Sequence, residues 1–168
     1  MTAELSDGVI FLRPLHPGDA ADHLAGEDEE MAKWLSGGRS TLATVQSYIN
    51  SCEEQWRIQG PRRAFGICYS LTKQLIGSIE ANFGLPLAAG QVNISFGVFP
   101  DWRGKGILQR VLDLMSSYLK SATGARQMVV RISVGNHASL KAINKAGFQF
   151  VGVFGELEGA MARYVRDI

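Results

Sequence analysis

The sequence lacks most of what would commit it to a membrane, a nucleic acid or a disulfide scaffold. Its 168 residues hold two cysteines, Cys52 and Cys68, in separate segments with no CxxC pair. That argues against a disulfide framework and fits a reduced, cytoplasmic chain whose cysteines are small core residues. Seventeen Lys and Arg against sixteen Asp and Glu leave a net charge of +1, so no global charge calls for nucleic acid. No apolar run approaches the ~18 residues of a membrane span. The start of the chain, Met1 to Asp7, is polar and acidic, unlike a signal peptide. His16, His23 and His137 show no metal-ligand spacing. With no internal repeat, low-complexity tract or linker, residues 1–168 read as one domain.

What is present is 46% hydrophobic, enough for a core, in interspersed strand and helix patterns. Val9 to Leu12 reads as a strand ended by Pro14. Asp19 can cap a short helix through Leu24, and Met31, Trp34 and Leu35 recur at helical spacing. Ser40 or Thr41 caps a longer helix with Val45, Tyr48, Ile49, Cys52 and Trp56 on one face. Ala64 to Ser70 and Leu75 to Phe83 form a hairpin pattern, and Gln91 to Phe99 a third extended run. Leu108, Val111, Leu112, Met115, Tyr118 and Leu119 make the clearest helical stripe. Gln127 to Val134 is β-branched and reads as a buried strand. Asn136 opens a helix that Gly147 ends, and Phe148 to Phe154 and Ala162 to Ile168 close the chain as strands.

Between the third extended run and the striped helix lies Pro100-Asp101-Trp102-Arg103-Gly104-Lys105-Gly106-Ile107-Leu108. A helix start leaves its first N–H groups unpaired and carries roughly half a positive charge. Glycines let the backbone approach an anion closely. The turn therefore suits a phosphate, with Arg103 and Lys105 adding charge. It is neither GxxxxGK[ST] nor GxGxxG, so nucleotide triphosphate and dinucleotide readings lack their motifs.

Arg103-Gly104-Lys105-Gly106-Ile107, set beside Asn136-x-x-Ser139 and the helix ending Lys145-x-Gly147-Phe148, resembles the GNAT superfamily of acetyl-CoA-dependent N-acetyltransferases. Trp102 to Gly106 with Asn136-x-x-Ser139 looks like the branch of ribosomal-protein N-terminal and aminoglycoside acetyltransferases. The resemblance implies a single α/β domain with a mixed, mostly antiparallel sheet flanked by helices. Two central parallel strands, Gln91 to Phe99 and Gln127 to Val134, would splay to hold CoA. It implies acetyl-CoA as co-substrate and no metal. The Val98 amide would polarise the thioester carbonyl. The amides of Arg103, Gly104, Lys105, Gly106, Ile107 and Leu108 would carry the pyrophosphate. Asn136 would reach the pantetheine arm, or serve only as an N-cap. Two positions depart from the family pattern: Leu108 stands where Gly or Ala is usual, and Ile143 where many members have a Tyr general acid.

An attacking ammonium, pKa ~10, must lose a proton. Glu80, in a strand expected to flank the cleft, is the candidate base. Ser139 is the candidate hydroxyl at the thioester in place of the missing Tyr. Glu27-Asp28-Glu29-Glu30, with Glu156-Leu157-Glu158 as a second acidic loop, would favour a cationic acceptor such as an aminoglycoside. The alternatives are a protein or peptide N-terminus as acceptor and a non-catalytic acetyl-CoA sensor. Nucleic acid and membrane are not expected partners; homodimers are common in the family.

Overall fold

A computed structural model describes residues 4–155 and 159–168. Glu156-Leu157-Glu158, the second acidic loop, lies outside the described residues. Eight strands form one sheet: β1 (Leu5–Ser6), β2 (Ile10–Pro14), β3 (Arg62–Tyr69), β4 (Leu75–Asn82), β5 (Gln91–Val98), β6 (Gln127–Ser133), β7 (Gln149–Phe154) and β8 (Met161–Asp167). Their order is β1-β2-β3-β4-β5-β6-β8-β7. Neighbours are antiparallel except β5 and β6, which run parallel. The helices are α1 (Ala20–Gly26), α2 (Glu29–Met31, continued by a π turn over Ala32–Ser36), α3 (Leu42–Arg57), α4 (Ile107–Ala122) and α5 (His137–Lys145). None of these is long and apolar enough to cross a membrane.

Side-chain alternation on the strands sends residues to two cores. Val92, Ile94 and Val98 of β5 and Met128, Val130 and Ile132 of β6 pack with Val111, Leu112, Met115 and Leu119 of α4 and Ile143 of α5. On the other face, Val45, Ile49 and Cys52 of α3 pack with Ala64, Cys68 and Phe99. Helix α3 begins where the sequence implies, because the Thr41 hydroxyl accepts from the Thr44 amide at 3.2 Å. Helix α4 is amphipathic: Val111, Leu112, Met115 and Leu119 are fully buried.

Three local readings need correction. Asp19 does not cap α1 with its side chain. Its buried carboxylate instead takes the Arg13 guanidinium at 2.7 and 2.8 Å and the His16 amide at 3.0 Å, the stronger charge-assisted partners. Pro14 is the last residue of β2, paired with Phe65, instead of lying beyond it. Strand β6 is not buried throughout, since Arg131 is exposed.

Candidate active site

Strands β5 and β6 pair over three positions only: Gln91 with Gln127, Val92 with Met128 and Asn93 with Val129. Beyond Asn93, β5 stays with β4 as far as Val98, and β6 stays with β8 as far as Ser133. The two parallel strands therefore splay into a wedge with unpaired backbone on its inner edges. The Phe99 amide donates to the Ile76 carbonyl at 2.9 Å. By antiparallel alternation, the N–H and C=O of the preceding Val98 face away from β4, into the wedge. The Val98 carbonyl accepts from Arg103 Nε at 2.8 Å. Its N–H is thus the polar group left for a ligand. Gly77 permits this strand approach, because a Cβ there would lie 2.3 Å from the Gly97 carbonyl oxygen.

The turn after β5 has the shape of an anion cradle. Gly104 and Gly106 adopt φ of +70° and +75°, which L side chains rarely adopt, and a Cβ on either would meet open space. Among the described residues, the amides of Gly104, Lys105, Gly106, Ile107 and Leu108 make no hydrogen bond to the protein. Lys105 Nζ sits 5.5 Å above the Trp102 ring, which leans on Tyr69 at 4.8 Å. Ile107 is buried and Leu108 packs against the core, so neither side chain is spent on the turn's outer face.

Arg103 behaves differently from the sequence reading. Its amide donates to Pro100 at 3.2 Å, and its guanidinium is bidentate to Asp28 at 2.6 and 3.0 Å. Its guanidinium is thus paired with Asp28, and its amide is bonded within the turn. The amides without a partner among the described residues begin at Gly104.

Asn136 caps α5, its Oδ1 accepting from the Ser139 amide at 3.2 Å. That realises the capping reading and leaves the Asn136 amide nitrogen for other partners. The Ser139 side chain sits in the first helical turn, half-buried. Ile143 is fully buried in the core and leaves no hydroxyl at that position.

Glu80 stands on β4 opposite Ser95 of β5, on the α1–α3 face of the sheet. Its side chain is 16% exposed, with Arg62 Nη1 at 3.9 Å and the Tyr48 hydroxyl donating at 3.4 Å. Burial pushes the Glu80 carboxyl above the usual range, and Arg62 and Tyr48 only partly oppose it. Glu80 lies three rungs from Val98, roughly 10 Å along the strand.

The four carboxylates of the acidic run have partners within the protein, though Glu27 and Glu30 accept only from neutral groups and keep their charge. Glu27 accepts from Ser36 Oγ and from the Ser40 amide and hydroxyl at 2.6–2.9 Å. Asp28 holds Arg103 and caps α2 through the Met31 amide at 3.0 Å. Glu29 pairs with Arg39, and Glu30 accepts from the Trp34 indole at 2.8 Å. The Glu27 and Asp28 contacts fasten the α2 segment, while Glu29 and Glu30 stay exposed. That segment bridges the wedge: Met31 and Leu35 lie against Gly97 of β5, and the Trp34 ring lies against Gly135 after β6.

Sequence reading missed Tyr48 and Arg62 around Glu80, and Arg131 and Arg163 on the β6–β8 side of the wedge. A lone arginine in the β-branched run Gln127 to Ser133 was the one available signal. Its neighbours depend on strand register.

Comparison with known proteins agrees with this architecture. A search of curated proteins found no match. Among solved structures, the acetyltransferase that modifies the N-terminal serine of 50S ribosomal subunit protein L7/L12 from Salmonella typhimurium superposes with a TM-score of 0.83 at 16% identity, covering 100% of this chain and 99% of that one. The aminoglycoside acetyltransferase AAC(6')-Ib, solved with coenzyme A, gives 0.77 at 19% identity, covering 94% of each chain. The microcin C7 self-immunity acetyltransferase MccE, solved with acetyl-CoA and AMP, gives 0.80 at 17% identity, covering 97% of this chain and 94% of that one. At these identities the likeness is one of fold. The family model of the acetyltransferase (GNAT) domain matches residues 10–149, and the chain accordingly belongs to the GNAT acetyltransferase family.

Proposed function

We propose that this chain transfers an acetyl group from acetyl-CoA to a primary amine. The observation that carries the reading is the pairing of two backbone features, the unpartnered amides of Gly104 to Leu108 and the Val98 N–H turned into the wedge. Unsatisfied helix-start donors suit a pyrophosphate, and one strand-edge donor suits a thioester carbonyl oxygen. The reaction forms one C–N bond and breaks one C–S bond. Glu80 takes the ammonium proton through water, given its distance from Val98. The raised Glu80 pKa makes it a better base than an exposed carboxylate. Ser139 Oγ is the hydroxyl available to the departing sulfur, whose thiol pKa of ~8.5 demands little help.

The acidic run does not by itself choose the acceptor: Asp28 and Glu29 pair with arginines, whereas Glu27 and Glu30 accept only from neutral donors and keep their charge. A polycationic aminoglycoside and a peptide N-terminus are the two acceptor classes to compare. The buried Ile143 favours a second reading, a sensor that binds acetyl-CoA without turnover. Calorimetry with acetyl-CoA, followed by thiol release across a panel of amines, separates them. Binding with release supports the transferase, binding without release supports the sensor, and no binding rejects both.

A further inference from the structure

Four side chains form one row on the α1–α3 face of the sheet. Glu80 stands opposite Ser95, and Arg131 of β6 stands opposite Arg163 of β8. Continuing the Asn93–Val129 register by two residues sets Ser95 level with Arg131 across the splay. Arg131 is exposed, and its Nε donates to Asn93 Oδ1 at 3.1 Å; among the described residues its two terminal nitrogens have no partner. The Arg163 guanidinium lies over the Phe154 ring at 4.6 Å, and among the described residues its buried Nε has no partner. Among the described residues neither arginine has a carboxylate partner. Directly opposed like charges on neighbouring strands repel. An anion between them relieves that repulsion, and guanidinium forks fit a carboxylate or a phosphate equally well.

We propose that Arg131 and Arg163 form an anion subsite for the acceptor, so that the amine acetylated here also carries a carboxylate or phosphate. This rests on the acetyltransferase reading above and adds the charge of the acceptor to it. The Arg131 backbone is three rungs from the level of Val98, roughly 10 Å along the strand, and its guanidinium reaches back toward Asn93, so the anionic group lies at least that far from the thioester. A peptide with an acidic residue near its N-terminus meets that spacing, as does a small amine with a distal acid. A polycation meets repulsion at the arginines.

The test uses the full chain, acetyl-CoA and thiol release. Acceptors come as matched pairs: the peptide Ala-Ala-Glu and its fully amidated Gln counterpart, an aminoalkyl carboxylate and its amide, and an aminoalkyl phosphate and its neutral alcohol, with an aminoglycoside alongside. The expected result is kcat/KM at least tenfold higher for an anionic member than for its neutral partner. In Arg131→Gln that ratio falls toward one, and in Arg131→Lys it is partly kept. Which pair shows the preference identifies the source of the anion. Turnover that favours neutral or polycationic acceptors, or a ratio unchanged in Arg131→Gln, overturns the subsite while leaving the transferase standing. Acetyl-CoA binding with no thiol release from any amine rejects the transferase reading, and the subsite falls with it.

Discussion

Arg103 and Asp28 are joined by two hydrogen bonds, and through them the turn after β5 is tied to the segment that bridges the wedge. The same guanidinium holds the Val98 carbonyl, and the same carboxylate caps α2. One ion pair thus links the strand edge proposed to meet the thioester to Met31, Trp34 and Leu35 above it. Both side chains are about a third exposed, so solvent screening keeps the contribution to stability small. Asp28→Asn is expected to cost at most about 1 kcal/mol yet raise the acceptor KM several-fold, because the bridging segment loses its anchor. Steady-state kinetics alongside chemical denaturation check this. Arg103 holds the Asp28 carboxyl below the usual range. The tie is therefore fully present above pH ~3.8 and lost as pH falls through the depressed value. A stability loss with unchanged kinetics would reduce the pair to scaffolding.

Gly106→Glu is expected to abolish acetyl-CoA binding. The new carboxylate would stand beside the cradle amides, where a phosphate is proposed to sit. The +75° φ adds about 1–2 kcal/mol of backbone strain. Gly124→Glu is the control, since it makes the same charge change in open space without a positive φ. Calorimetry should show binding lost in the first and kept in the second. Equal affinities would remove the cradle from the phosphate site.

Glu80→Gln separates function from stability. Burial raises the Glu80 pKa, so its ionised form burdens the fold once pH passes the unfolded value of ~4.5. The neutral amide lifts that burden, and the variant is expected to be as stable as the parent at pH 7 or more so. Its turnover should fall by ~100-fold, most at low pH and least as the amine approaches its own pKa of ~10. The parent's acid limb should lie above the ordinary carboxylate range. A pH–rate profile that matches the parent's would remove Glu80 as base.

The glycine turn and the order of strands and helices were legible because both are written locally. Gly104 and Gly106 precede a stripe from Leu108 to Leu119 that only a helix explains. Partnerships across the sheet were not legible. Arg131 reads as an intruder in a buried strand until its register with Arg163 is known. Glu27 to Glu30 reads as an open charge run until Ser40, Arg103, Arg39 and Trp34 are found beside it. Strand β1, two residues long, carries too short a pattern to detect.

Asp19 shows how one misread carboxylate bears on stability. Taken as a helix cap, its loss would cost about 1 kcal/mol. It is 4% exposed and holds Arg13 with two bonds of 2.7 and 2.8 Å. Replacing it leaves a half-buried guanidinium without its counter-charge, which costs about 2–3 kcal/mol. Burial alone would raise the Asp19 pKa, but the Arg13 guanidinium and the His16 amide outweigh it and hold the carboxyl low. The parent's advantage over Asp19→Asn should therefore be complete above pH ~3.8 and shrink as pH falls through the depressed native value. Urea denaturation of both proteins across that range checks the sign. A gap near zero across that range would restore the capping role, because Asn caps a helix about as well as Asp.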